Sequence, residues 1–310
     1  MNVAHSLKFS TVLYSKYCLP ALCILLVVGA AGLFIFASFA QGPLIPPGPP
    51  GPVMKTLNQV EPRTPISSLP FLIGSSGSYY VTTNLTGVDP EAANNSRFAN
   101  LRAFTNGWES TSQAGLRVGE YSRITACVAE ANQDYGIRAS AGCMLSECTV
   151  RANGGTGIRG AVSTTVRECV AEYNGQHGIS VAVGGTVSKC AVGDNGQHGV
   201  LVVGNACTVN NCTVWDNAGS AIHVNSQARV VDNTCSSNKK GVLTIGNDNR
   251  IEGNNVTRNI VGIEIAQTGN IIVRNTASGN TTNYNIVAGN TVGPITSNPT
   301  DFWPWANFEF

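Results

Sequence analysis

From Ile124 onward the chain repeats one order of apolar and polar positions. Aliphatic residues stand at Ile124, Leu145, Val166, Val187, Val209, Val230, Ile251 and Ile272. Three residues after each lies Cys127, Cys148, Cys169, Cys190, Cys212, Asn233, Asn254 or Asn275. Five further on lies Asn132, Asn153, Asn174, Asn195, Asn217, Asn238, Asn259 or Asn280. The step is 21 residues, with a single 22 between Asn195 and Asn217, and Asn106 begins the series one coil earlier. A fixed period of this size signals a solenoid. Inside a unit the apolar residues alternate with period two between turns, and no helical amphipathic pattern is sustained, so the repeating elements are strands. One unit buries nothing alone. Stacked about 4.8 Å apart, units line their apolar, Cys and Asn positions into interior ladders. The pattern predicts an all-β fold: a single-stranded, right-handed parallel β-helix of roughly nine coils of 21–22 residues.

The Asn row fits a turn ladder, because Asn tolerates a left-handed backbone and its amide both donates and accepts along a stack. Gly136, Gly157, Gly178, Gly199, Gly241 and Gly262 read as turn residues too. Five cysteines in one row cannot all pair, and parallel side chains in register fit the disulfide dihedral poorly, so buried, stacked thiols are expected. Cys143, Cys207 and Cys235 lie off the row. No CxxC or Cys/His cluster has zinc-ligand spacing.

Upstream of the repeat the character changes. Residues 17–40 carry no charge and follow Lys8 and Lys16, which reads residues 1–40 as a signal peptide cleaved after Ala40, or as an anchor that crosses the inner membrane with residues 19–40. Both readings export the rest to the periplasm, the cell surface or the medium. Residues 41–64 hold GPLIPPGPPGP and read as a Pro-rich spacer. Residues 65–91 read as an N-terminal cap, 92–292 as the β-helix and 293–310 as an aromatic C-terminal cap with Phe302, Trp303, Trp305, Phe308 and Phe310. With 19 Lys+Arg against 18 Asp+Glu and 12% charged residues over 310, the chain lacks the basic surplus of a nucleic-acid binder.

MKTLNQVEPRTPISSLP at residues 54–70, GSYYVTTNLTG at 77–87, GNTVGPI at 289–295 and WANFEF at 305–310 resemble a family of exported bacterial right-handed parallel β-helix repeat proteins. The resemblance implies the pectin-lyase-like superfold and no settled activity. Gly87 runs within about ten residues into Phe98, where such proteins carry further apolar coils, so the N-terminal end of the helix is shortened.

Enzymes on this superfold act on acidic polysaccharides, but neither an aspartate cluster for calcium nor an Arg-x-Pro-x-x-Arg run is present, and the Gln-His-Gly runs at 176–178 and 197–199 lack the companion motifs of polygalacturonases. The catalytic candidates are His177 and His198, at one position of consecutive coils, with Glu172, Asp194 and Asp216 near them in the unit. Two imidazoles with carboxylates suit a base or a transition metal, although no motif indicates calcium or any other cofactor. The ligand-binding candidates are Trp108 and Glu109, in the insertion after Asn106, and Glu130 and Arg151, in the row of Glu172. Coils of constant length leave little to wall a cleft. The leading expectation is therefore a non-enzymatic cell-surface or secreted module that binds polysaccharide or a cell-envelope component, touching the membrane only through an uncleaved N-terminal segment. A polysaccharide lyase, hydrolase or epimerase is the alternative, and a periplasmic metal-binding β-helix a lesser one. Oligomeric state is not legible.

Overall fold

The 21-residue step lays each strand on its counterpart one coil earlier. The computed structural model describes residues 64–66, 78–81, 85–86, 94–105, 114–298, 300 and 303–310, and every regular element among them is a β-strand. These residues lie in the unit Leu57–Phe310. The chain winds as a right-handed parallel β-helix. Its strands form three parallel sheets, two of twelve strands and a third of nine. One coil shows the plan: Thr165–Arg167 enters the first sheet, Val170–Glu172 the second and Ile179–Val181 the third. Register is strict, with Val166 between Leu145 and Val187, Ala171 between Val150 and Val192, and Ile179 between Ile158 and Val200. The central residue of each short strand in the first two sheets, and in the third the residues flanking the centre of its three-residue strands, point inward, so these columns are fully buried and make a continuous core.

The corners depart from the sequence reading in an instructive way. Left-handed backbone belongs to the residue just before each ladder side chain: Tyr173 (φ 56°) before Asn174, Glu168 (φ 55°) before Cys169 and Ser163 (φ 56°) before Thr164. That residue turns the chain and aims the next side chain inward. The Asn residues are kept for hydrogen bonding. Each Nδ2 donates to the Oδ1 of the next coil, at 2.9 Å from Asn153 to Asn174 and 3.0 Å from Asn174 to Asn195, and the same Oδ1 accepts the backbone N–H of the coil before. A buried amide in this ladder has its polar atoms satisfied.

The glycines expected as turn residues also serve another end. Gly157 and Gly178 have no positive φ; a Cβ on Gly157 would lie 2.6 Å from the Gly178 carbonyl oxygen and 2.7 Å from Asn174 Nδ2. They are glycines because the neighbouring coil and its ladder amide leave no room. The described cysteines are all free and buried, as the row suggested. The thiols of the row donate to the carbonyl two residues back, Cys169 to Arg167 at 3.2 Å and Cys190 to Ser188 at 3.3 Å. Cys235 sits off the row because it occupies the inward column of the second sheet between Val214 and Val256.

At the C-terminal end Asn307–Glu309 pairs with Thr276–Ser278. Asn307 extends the Cys/Asn row, accepting from Asn275 Nδ2 at 3.0 Å. Trp303, Trp305 and Phe310 remain 64, 49 and 59% exposed, so the tail closes this end by backbone pairing and Asn307 more than by burying rings. Upstream, Ser78–Val81 pairs with Arg97–Ala99, and Thr64–Ile66 with Ser78–Val81, continuing the first sheet. Residues 1–63, with the segment read from sequence as a signal peptide or anchor and most of the one read as a spacer, lie outside the described residues. No helix among the described residues is long and apolar enough to cross a membrane.

Candidate functional site

Of the residues singled out by sequence, Glu130, Arg151 and Glu172 share one outward column of the second sheet. Arg151 Nε lies 3.6 Å from Glu130 Oε1, with the two side chains 48 and 31% exposed. An ion pair this open to water contributes little stability. Asp194 (φ 55°) and Asp216 (φ 49°) occupy the left-handed corner position, which gives a carboxamide or carboxylate side chain a backbone reason to be there. Trp108 and Glu109 lie outside the described residues.

His177 and His198 do meet. Their imidazoles stack with centroids 5.3 Å apart and planes 5° from parallel. A third imidazole, His223, completes the group: it meets His198 edge to face at 4.7 Å, with its Nδ1 3.3 Å from His198 Nε2. Sequence reasoning passed over His223 because it is offset by 25 residues from His198, one coil plus three, and stands on a strand in register with Leu201 instead of in the Gln-His-Gly turn. Reading the outward strand positions as columns would have found it.

Backbone donors fix the tautomers. The Ser220 N–H donates to His198 Nδ1 at 2.9 Å, and the His198 N–H donates to His177 Nδ1 at 3.3 Å. Each of these rings must therefore carry its proton on Nε2. His198 Nε2–H then donates to His223 Nδ1, which puts the remaining proton of His223 on its Nε2 as well. Burial, and after it His198, holds His177 down at about 4; burial, and after it His198, Lys240 and His177, holds His223 there too. Burial and then Lys240 lower His198. At neutral pH the site is three uncharged imidazoles whose lone pairs are all engaged. Beside it a concavity of about 310 Å³ is lined by Gln197, His198, Gly219, Ser220, Lys239 and Lys240. Lys240 Nζ pairs with Glu264 at 2.9 Å.

Toward the N-terminal side the same sheet carries Arg117, Arg138 and Arg159 outward in register on successive coils. Arg138 and Arg159 lie over the Tyr135 ring, at 5.7 and 5.4 Å, and Arg159 Nη1 donates to the Tyr135 hydroxyl at 2.7 Å. Burial raises Asp134, against the pull of Arg138 and Arg159.

Comparison with known proteins agrees with the architecture. The family described as right handed beta helix region matches residues 89–207, and the one described as periplasmic copper-binding protein (NosD) matches residues 184–299. No curated protein matches the chain. Among solved structures, the A-module of the mannuronan C-5 epimerase AlgE4 of Azotobacter vinelandii is similar with a TM-score of 0.57 and 15% identity, covering 75% of this chain and 89% of that one. The A-module of AlgE6 from the same organism gives 0.54 and 16%, covering 79 and 88%. At such identity the likeness is one of fold. The copper in the second family's description does not fit the imidazoles here. A metal at His198 Nε2 needs a lone pair that the Ser220 N–H leaves only to an imidazolate, and no group of three or more His, Cys, Asp or Glu among the described residues is arranged to hold an ion.

Proposed function

We propose that the protein is an exported β-helix that holds a polysaccharide, or another cell-envelope component, along the outer face of its third sheet without cleaving it. The observation that carries this reading is the constancy of the coil: from Asn132 to Asn280 the step stays at 21 or 22 residues, so the described coils present long flat columns and raise no loops to wall a cleft. Export is supported by the uncharged run at residues 17–40 and by the periplasmic description of the family matched over residues 184–299. A polysaccharide is supported by the fold shared with two epimerase modules whose names state a glycan substrate, mannuronan.

The histidines favour holding over cutting. A general base needs a free lone pair, and the acceptor nitrogens of all three imidazoles are engaged, leaving His177 and His223 with Nε2–H groups to offer and His198 with its Nε2–H given to His223. The test is a panel of acidic and neutral polysaccharides in which retention of the protein and release of reducing or unsaturated ends are read in the same wells. Retention without new ends is expected. New ends would replace this reading with a lyase or hydrolase, an altered uronate composition without new ends would replace it with an epimerase, and no retention on any glycan would remove the polysaccharide.

A further inference from the structure

On the outer face of the first sheet, the column that carries Arg229 and Arg250 turns apolar at Ile271 before it ends at Thr291. Earlier in the same column stand Thr165, Thr186 and Thr208, so the backbone accepts a polar residue there. Ile271 is 37% exposed, and the C-terminal tail brings the half-exposed Trp305 to the same groove. With Arg250, Thr291, Val292 and Pro294 the two enclose about 410 Å³. That lies within the range of about 300–1,000 Å³ of small-molecule sites, which are mostly apolar with a few placed polar groups. The polar part is built by a chain of contacts. Glu252, whose side chain is only 10% exposed, accepts from Arg250 Nε at 2.6 Å and lies 3.4 Å from Arg274 Nη1. A carboxylate so buried requires pairing, and two guanidiniums on it leave the trio a net positive charge. Arg274 in turn stands 5.0 Å from the Trp305 ring centroid, which fixes one face of the indole. Arg250 gives Glu252 its Nε–H and keeps its Nη donors.

We infer that this groove binds a small aromatic anion, with its ring against Trp305, Ile271 and Pro294 and its carboxylate or sulfonate on Arg250. A ring laid on an indole gains stacking beyond the area it buries, and a guanidinium meets such acids through paired N–H donors. The site lies on the first sheet and the imidazoles on the third, so it stands independently of the glycan-holding reading. Carboxylate and sulfonate share this chemistry, and both are tested.

The protein is titrated with anilinonaphthalene sulfonate, read by its fluorescence, and with phenylnaphthylamine, the same aromatic body without the acid. Saturable binding of the sulfonate is expected, with the neutral amine about tenfold weaker. Displacement by naphthoate assigns carboxylates to the site as well, and no displacement assigns sulfonates alone. Arg250→Gln is expected to weaken the sulfonate about tenfold and to leave the amine within about twofold. Trp305→Ala is expected to weaken both about tenfold or more. Trp303→Ala, which removes an exposed tryptophan that does not line the groove, is expected to change neither by more than about twofold. A thermal melt checks that each variant is folded. Ile271→Glu, which leaves Trp305 and Arg250 in place and sets a negative charge between them, repeats the test if either is not, and should weaken the sulfonate more than the amine. Equal losses in the two tryptophan variants, equal affinity for sulfonate and amine, or no saturable binding overturns the site. A dimer that sedimentation shows falling apart in Trp305→Ala would put a second copy in the groove and overturn the small ligand.

Discussion

At the scale of single residues, the solenoid assigns each position one task, and residues that look alike in sequence differ in what they do. Asn174 is an amide bridge; the left-handed turn beside it belongs to Tyr173. Gly157 answers crowding by Asn174 and the Gly178 carbonyl, not a backbone angle. Periodicity reveals the column, and the amide ladder expected of it is there, but φ and close approach are not in the pattern, so the sequence reading puts the left-handed turn on the Asn row and misses the crowding at Gly157. Thr244 breaks the plan. It stands in the inward column of the third sheet between Val224 and Ile265, and its buried hydroxyl has no hydrogen-bond partner. An unsatisfied buried hydroxyl costs about 1–3 kcal/mol, and valine has nearly the same shape. Thr244→Val is therefore expected to raise the urea midpoint, with an unchanged m-value, by an amount equal to about 1–2 kcal/mol. A lower midpoint would show that the hydroxyl contributes to the packed state.

At the scale of elements, legibility followed the constancy of the step. The Cys/Asn row was readable through Asn275 because each member lies 21 or 22 residues from the last, but its final rung, Asn307, comes after 32. The chain first makes Thr291–Val292 and Ile295–Thr296 and then returns to lay Asn307–Glu309 on the second sheet. A third ladder, Asn249 to Asn270 to Asn290 at 2.9 and 3.0 Å, escaped notice because the same corner upstream holds Ser122, Cys143, Thr164, Gly185, Cys207 and Ala228, with no asparagine and no constant residue type. The Asn307 amide accepts from the backbone N–H and Nδ2 of Asn275 and donates to Ile272 and Gly293, so Asn307→Ala orphans buried groups on both sides. Because coils couple mainly to their neighbours, the damage should stay local. Hydrogen exchange is expected to quicken in the coils of Asn254 and Asn275 and to stay unchanged around Asn153. Uniformly faster exchange would instead mean that the solenoid opens as one unit.

At the scale of the whole molecule, nearest-neighbour coupling makes the histidine group more than a surface detail, since His177, His198 and His223 tie three consecutive coils in the middle of the solenoid. Protonating His198 or His177 takes the lone pair that a backbone N–H requires, so charge and hydrogen bonding oppose each other in the folded state. In the unfolded chain each imidazole titrates near its ordinary value of about 6.5; folded, His177 and His223 do so at about 4. Between those values the unfolded state binds more protons. Stability is then full above about pH 6.5 and declines as the pH falls toward about 4. Carboxylates such as Glu252, held down first by its hydrogen bond from Arg250, are lost only below the ordinary carboxylate range, so they do not imitate this window. The expected observation is a melting temperature that is flat above pH 7 and falls between pH 6.5 and 4.5, with the fall reduced in His177→Gln/His223→Gln. A parent protein equally stable at pH 7 and pH 5 would show that the imidazoles protonate without leaving their stack. The tautomer assignment, and with it the donor-only face offered to a glycan, would then have to be abandoned.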